Sequence, residues 1–296
     1  MMKISEYKKY YKNIILVVIF SLLLISITKN ATEIYTVSSS QKITITVPII
    51  MYHQVKNNGL GKDVISPYEF ETDLQYLSEN NYTTITMFEL IDYVYNDEEL
   101  PPNPIILSFD DGYLSTYKNV FPLLQKYNMK IVLSIVGKSV DDFSKVVDNN
   151  IEHAHLTWNQ INEMEQSGLV EIQNHTYNMH KIFNGRYGCG QKNNESLTNY
   201  EKVITEDVLT FQERLQTMLE ILPSTFTYPY GKYNDNTDQI LKKLGYKATL
   251  SCSYGVNLIN KDPEKLFGLK RMCRAHDHNI NKLIKEGMET LKYIKE

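Results

Sequence analysis

The chain has 296 residues, 42% of them apolar, with 31 basic and 35 acidic side chains and a net charge of −4. That suits one large α/β domain or two small ones, with a substantial core, after a short N-terminal segment. Residues 1–30 carry Lys3, Lys8, Lys9, Lys12 and Lys29 against Glu6, which is +4 and leaves −8 for the remainder; an acidic body argues against nucleic acid as a partner. Cys189, Cys252 and Cys273 are an odd, widely spaced set with no CxxC pair and no evident disulfide framework.

The first element is a targeting segment. Lysines within residues 3–12 precede an apolar run at 14–27, broken only by Ser21 and Ser26. The run is short for a span of about 20 residues and suits a signal. No small-x-small cleavage site follows closely, so an uncleaved membrane anchor is expected ahead of a cleaved signal. Either places the body on the outer face of the cytoplasmic membrane or beyond it. Residues 1–30 are thus the signal or anchor, and 31–46 a polar linker.

In the body, residues 47–52 read as a buried strand ending at His53. Residues 67–79 read as a helix with Phe70, Leu74 and Leu77 on one face, 82–86 as a strand and 87–95 as a helix. A continuous apolar strand at 105–109 is followed by Gly112 and a helix at 113–127. Next come a strand at 131–136, a helix at 159–167 closed by Gly168, and a strand at 169–172. A long amphipathic helix at 199–222 leads to strands at 225–228, 247–250 and 266–271, with helices at 235–244 and 280–294. Apolar strands alternating with helices predict a parallel sheet buried on both faces, and seven or eight β/α units fit a barrel better than an open sheet. Barrel chemistry gathers at the C-terminal ends of strands. His53, Asp110, Asp111, His175 and Tyr230 all stand just past a strand. The Gly- and Asn-rich residues 182–197 read as a loop over that site.

Asp110-Asp111 by itself is equally a turn signal. As chemistry, adjacent carboxylates repel unless a cation sits between them. One can bind metal while its neighbour faces bound water. His175 and His180, five residues apart, would be about 140° apart on a helix, so a loop curled around an ion fits them better. Without the aspartates, two surface histidines is the plain alternative. One carboxylate and two imidazoles leave a metal coordination position open, as catalytic sites do. Phe226-Thr227-Tyr228-Pro229-Tyr230-Gly231 reads either as an ordinary turn or as a backbone N–H aimed at an oxyanion, with tyrosine rings forming a sugar-sized wall.

The strings SFDDG, NHTYNMH and YPYG, in that order, resemble the NodB-like polysaccharide deacetylases, carbohydrate esterase family four. VPIIMYHQV ahead of them and HLTWNQINEMEQSGLVEIQ before the histidines fit the same family, so the resemblance covers residues 47–271. The histidine spacing and YPYG most resemble its poly-N-acetylglucosamine deacetylase branch. The resemblance implies a distorted (β/α)7 barrel at 47–296 as catalytic domain. It implies Asp110 as base, Asp111, His175 and His180 as metal ligands, and the Tyr230 backbone N–H as oxyanion donor. The implied cofactor is a divalent metal, foremost Zn2+, with Fe2+, Co2+ or Ni2+ also accommodated. The implied partner is an acetylated polysaccharide, with the chain held at the membrane by its N-terminus and monomeric.

Two departures stand out. The family's base-holding arginine is absent from the Phe226-Thr227-Tyr228 stretch, and Arg271 is its candidate replacement. The late histidine that serves as acid has no clean match; His276 and His53 are both candidates. Tyr228, Tyr230 and Arg271 are expected at the substrate, and Tyr113, Trp158, Tyr187 and Tyr233 are candidate stacking rings. His153 and His155 read as loop residues. Alternatives to an exopolysaccharide deacetylase are a peptidoglycan N-acetylglucosamine or N-acetylmuramic acid deacetylase, or a glycan-binding protein of the same fold with weak catalysis.

Overall fold

The computed structural model describes Ser21 and residues 44–293. The expected signal or anchor, and most of the expected linker, lie outside the described residues. Among those described, no helix is long and apolar enough to cross a membrane.

Eight parallel strands build the main sheet: β1 Ile49–Tyr52, β2 Thr83–Thr84, β3 Pro104–Asp111, β4 Ile131–Ile135, β5 Val170–Asn174, β6 Thr225–Thr227, β7 Ala248–Leu250 and β8 Met272–Cys273. Their order is β7-β6-β5-β4-β3-β1-β8, with β2 paired to the start of β3. A parallel bridge between Leu250 and Leu269 joins the two edges, with Leu269 N–H donating to Thr249 O and Ser251 N–H to Leu269 O, both at 2.9 Å. The sheet therefore curls into a distorted barrel.

The period-two alternation of strands sorts the core into layers. Ile105, Leu107 and Phe109 of β3 join Ile131, Leu133 and Ile135 of β4 in the cluster under the outer helices. Ile106 and Val132, pointing the other way, join Ile49, Ala248 and Leu250 inside the ring. Ser108 and Asp110 share the parity of Ile106, so β3 carries its last inward residue to the C-terminal rim.

Among the described residues, eight α-helices accompany this sheet: α1 Pro67–Glu79, α2 Met87–Tyr95, α3 Phe121–Tyr127, α4 Gly137–Lys145, α5 Trp158–Gln166, α6 Leu197–Leu219, α7 Asp235–Lys243 and α8 Ile280–Glu289. Capping boxes set several starts: Ser66 with Glu69 and Thr86 with Glu89 each exchange side-chain and backbone bonds.

Several expected elements differ. Residues 47–52 are interrupted at Pro48, and Ile45–Val47 pairs instead with Asn257–Ile259. The strand expected at 82–86 shortens to β2 because Thr86 caps α2. The helix expected at 113–127 opens with a π-turn, Thr116–Val120, before α3. α4 has no side-chain cap at its start and begins on glycine, so the sequence carries no start signal for it. The strand expected at 266–271 is a turn, Pro263–Leu266, then the lone bridge at Leu269, with the strand itself at β8. The loop at 182–197 contains a small hairpin, Ile182–Phe183 against Arg186–Tyr187.

Candidate active site

Asp110 meets Arg271 in a two-pronged ion pair, Nη1 to Oδ1 at 2.7 Å and Nη2 to Oδ2 at 2.8 Å. Arg271 also donates through Nε to Ser251 O at 2.8 Å and is the largest fully buried side chain of the body. Burial disfavours the ionised carboxylate, but the Arg271 guanidinium and then His175 outweigh it and hold the Asp110 carboxyl below its usual range. A buried pair persists only when its hydrogen bonds are made, and here both partners are well supplied.

Alternation alone would send Asp111 to the opposite face from Asp110. At Asp111 the backbone takes a left-handed φ of 72°, which turns the chain out of the pleat. Its Oδ1 lies 3.5 Å from His175 Nε2 and 3.2 Å from His180 Nε2. His175 is fixed by the sheet: Nδ1 faces Thr227 O at 2.8 Å, and since a carbonyl only accepts, Nδ1 donates. Nε2 then carries the lone pair toward Asp111. Burial disfavours a charged His175, yet contact with Asp111 raises its pKa overall; burial and His175 lower that of His180.

The five-residue span between the histidines is a strapped loop. Thr176 adopts a φ of 72°, and its N–H donates to the Asn174 side chain at 2.7 Å. Asp207, reaching from α6, accepts the N–H groups of Tyr177 and Asn178, both at 2.8 Å. This holds His180 facing Asp111. Asp111, His175 and His180 offer three ligand atoms within 4.8 Å of one another. Asp111 Oδ1 is buried without a hydrogen-bond partner. An orphaned carboxylate oxygen facing two imidazole nitrogens fits a divalent cation.

His53 lies 3.8 Å through Nδ1 from Asp63 Oδ1, and it is close enough for its charge to lower both aspartate carboxyls. His276 is engaged elsewhere: Nδ1 is 3.0 Å from Glu69 Oε2 and Nε2 is 3.2 Å from Asp277 Oδ2. Of the two acid candidates, the fold brings His53 to the aspartates.

Tyr230, 38% exposed, takes a left-handed φ of 58°, and its ring lies 4.4 Å from that of His180 and 4.6 Å from that of Tyr187. The hairpin loop thus leans on the site's rim. Tyr228 departs from expectation. It is fully buried, stacked on Tyr233 at 4.2 Å and bonded to Asp238, so it is core beneath the rim and touches no substrate. Arg271 likewise spends its head group on Asp110 and Ser251, which corrects its expected contact with substrate. Trp158 is core, with Nε1 donating to Asp141 at 2.9 Å. Tyr113 stays near the rim, its hydroxyl pushed up to about 12 by burial and by Asp111.

A family model for polysaccharide deacetylase matches residues 97–249. The chain belongs to that family. It is similar to the poly-beta-1,6-N-acetyl-D-glucosamine N-deacetylase of Escherichia coli, at 29% identity over 70% of this chain and 34% of that one. It is also similar to the protein of the same name from Staphylococcus aureus, at 26% identity over 67% of this chain and 62% of the other. The chain therefore spans about a third and under two thirds of those relatives. Among solved structures, a de-N-acetylase from Aggregatibacter actinomycetemcomitans superposes with a TM-score of 0.69 at 25% identity, covering 82% of this chain and 99% of the other. IcaB from Ammonifex degensii superposes with a TM-score of 0.63 at 25% identity, covering 77% and 92%. These deacetylase folds agree with the distorted barrel described above.

Sequence reasoning missed three neighbours of the candidate site. Asp207 sits mid-helix, where nothing local separates it from a surface carboxylate. His155 faces the Asp111 carbonyl through Nδ1 at 3.1 Å, with its ring 4.6 Å from that of Tyr113. Asp63 stands beside His53. Asp207 and His155 arrive by long-range contact, and Asp63 by the turn ten residues past His53.

Proposed function

We propose that this deacetylase removes N-acetyl groups from N-acetylglucosamine units of an extracellular polysaccharide of the β-1,6-linked poly-N-acetylglucosamine type. A divalent metal on Asp111, His175 and His180, Zn2+ foremost, would act as Lewis acid and lower the pKa of attacking water. The observation that carries the reading is the pairing of two adjacent carboxylates with opposite roles. Asp110 is held through both oxygens by Arg271, while Asp111 keeps an unpartnered oxygen toward two histidines. The names of the relatives support the choice of glycan.

Asp110, kept ionised and aimed by Arg271, accepts the proton of the attacking water. The Tyr230 backbone N–H faces the oxyanion as the amide carbon becomes tetrahedral. His53 delivers a proton to the departing glucosamine nitrogen. Acetate leaves, and the glycan gains an amine that is cationic near neutral pH. The rings of Tyr187 and Tyr230 flank the sugar. The N-terminal lysines and apolar run support a location at the outer face of the cytoplasmic membrane, where such a glycan emerges.

The test is acetate release by the metal-loaded full-length chain, with Asp111→Ala as blank. β-1,6-linked N-acetylglucosamine oligomers are compared with purified peptidoglycan. Release from the oligomers is expected. Release from peptidoglycan alone would replace the glycan named here, and release from neither with metal bound would sink the activity.

A further inference from the structure

A second group of metal-ligating side chains stands beside the deacetylase centre and is used only in part by the reaction above. His53, Asp63 and Cys273 place one ligand atom each within 4.8 Å of the others. His53 Nδ1 is buried and has no hydrogen-bond partner. Asp63 Oδ1 is 3.8 Å from it, and Cys273 Sγ is 4.0 Å from the same carboxylate oxygen. Zinc bonds of about 2.0–2.3 Å separate tetrahedral ligands by about 3.3–3.6 Å, so both contacts of Asp63 would tighten by about half an ångström on binding, leaving a fourth position for water.

Backbone bonds hold the three segments in place. Cys273 pairs with Met51 across β8 and β1, and Arg274 N–H donates to Met51 O at 2.9 Å. Gln54 N–H donates to Asp63 O at 3.1 Å. Thiolate, carboxylate and neutral imidazole together carry two negative charges, matching a divalent cation. The thiol proton passes to the buffer on binding. Lys62 opposes a cation there, but its side chain is exposed and screened by solvent. The thiolate distinguishes this set from Asp111, His175 and His180 and favours softer ions.

We propose that His53, Asp63 and Cys273 form a second, inhibitory metal site for a thiophilic divalent cation such as Zn2+ or Cd2+. Occupation pins His53 and withdraws it from proton delivery. Excess metal then switches off the enzyme that one equivalent activates. The inhibitory half rests on the role proposed for His53, whereas the binding half does not.

The experiment loads the full-length chain with Co2+ in two steps and follows the thiolate-to-cobalt absorption band. The second equivalent is expected to raise that band in the wild type and in Cys252→Ser, but not in Cys273→Ser or Asp63→Asn. Cys273→Ser should keep its turnover at one equivalent and need at least tenfold more Zn2+ for half inhibition. No band in the wild type, or a band that follows Cys252, would overturn the site. A band at Cys273 without inhibition by excess Zn2+ would overturn the switch and leave the site. Absence of turnover at one equivalent, with the band intact, would instead count against the proposed function.

Discussion

Two buried arginine–aspartate pairs have their arginines three residues apart, one on each side of β8, and do different things. Arg271 clamps Asp110 inside the barrel mouth. Arg274 clamps Asp73 of α1 in the outer layer, Nε to Oδ2 at 2.8 Å and Nη2 to Oδ1 at 3.1 Å, with Tyr52 Oη donating to the same carboxylate at 3.1 Å. Both clamps are two-pronged, end-on through Nη1 and Nη2 at Asp110 and side-on through Nε and Nη2 at Asp73. What separates them is the company. Asp110 is followed by Asp111, whose free oxygen faces two histidines, while Asp73 is enclosed by Tyr52 and α8. A buried ion pair is therefore not itself the mark of a site; an unsatisfied neighbour is.

The sharpest way to break this comparison is to neutralise each carboxylate. Asp110→Asn should lower kcat by about 10²–10⁴-fold with metal still bound. Asp73→Asn should leave turnover per folded molecule unchanged. Equal losses of turnover in the two variants would erase the distinction.

Arg274→Met should act on stability. It strands the Asp73 carboxylate in the core, which costs about 3–5 kcal/mol, read from urea unfolding. A fall in kcat without that loss would make the outer clamp part of the site.

Asp207→Asn comes next. Exchanging one of its two acceptor oxygens for an NH2 group leaves one of the two backbone amides unpaired and loosens the His180 loop, and metal affinity should fall about 10–100-fold by competition with a chelator, with little change in melting. Unaltered affinity would mean the loop holds its shape without the strap.

The smallest effect concerns Glu69, which caps α1 near the outer clamp. Burial would raise its carboxyl, but the Ser66 N–H, His276 and the Asp277 N–H outweigh it and lower the pKa from 4.5 to about 2. A carboxyl depressed in the folded state contributes stability above the unfolded pKa and loses it as pH falls through the folded value. The gap in urea midpoint between wild type and Glu69→Gln should therefore close between about pH 4.5 and pH 2. A gap that stayed constant over that window would remove Glu69 from the pH response.

How much of this was legible depended on how local each signal was. Asp111, His175 and His180 could be grouped from the chain because Asp111 and His175 each stand at the end of an apolar strand, the barrel pattern brings strand ends together, and His180 follows His175 on the same loop. Arg271 could be suspected, since the base needed a holder and this arginine follows a strand-like run. Its contact with Asp110, 161 positions away, depends on how the barrel closes. Tyr228 was misplaced because a tyrosine beside a turn looks the same in sequence whether its ring faces solvent or core. The bend at Asp111 was invisible too, since left-handed backbone at a non-glycine residue is imposed by the surroundings.

The joint between Leu250 and Leu269 has a kinetic consequence. Arg271 reaches across that joint, from the segment entering β8 to Ser251 O past β7 and Asp110 at the end of β3. Beside the backbone bonds of Leu269, one side chain thus helps fasten the ring and aims the proposed base. Any breathing motion that parts the two edges also releases Asp110. On heating, catalysis should fade before the helices melt, because the enzyme disarms through its thinnest junction while the rest of the wall is still standing.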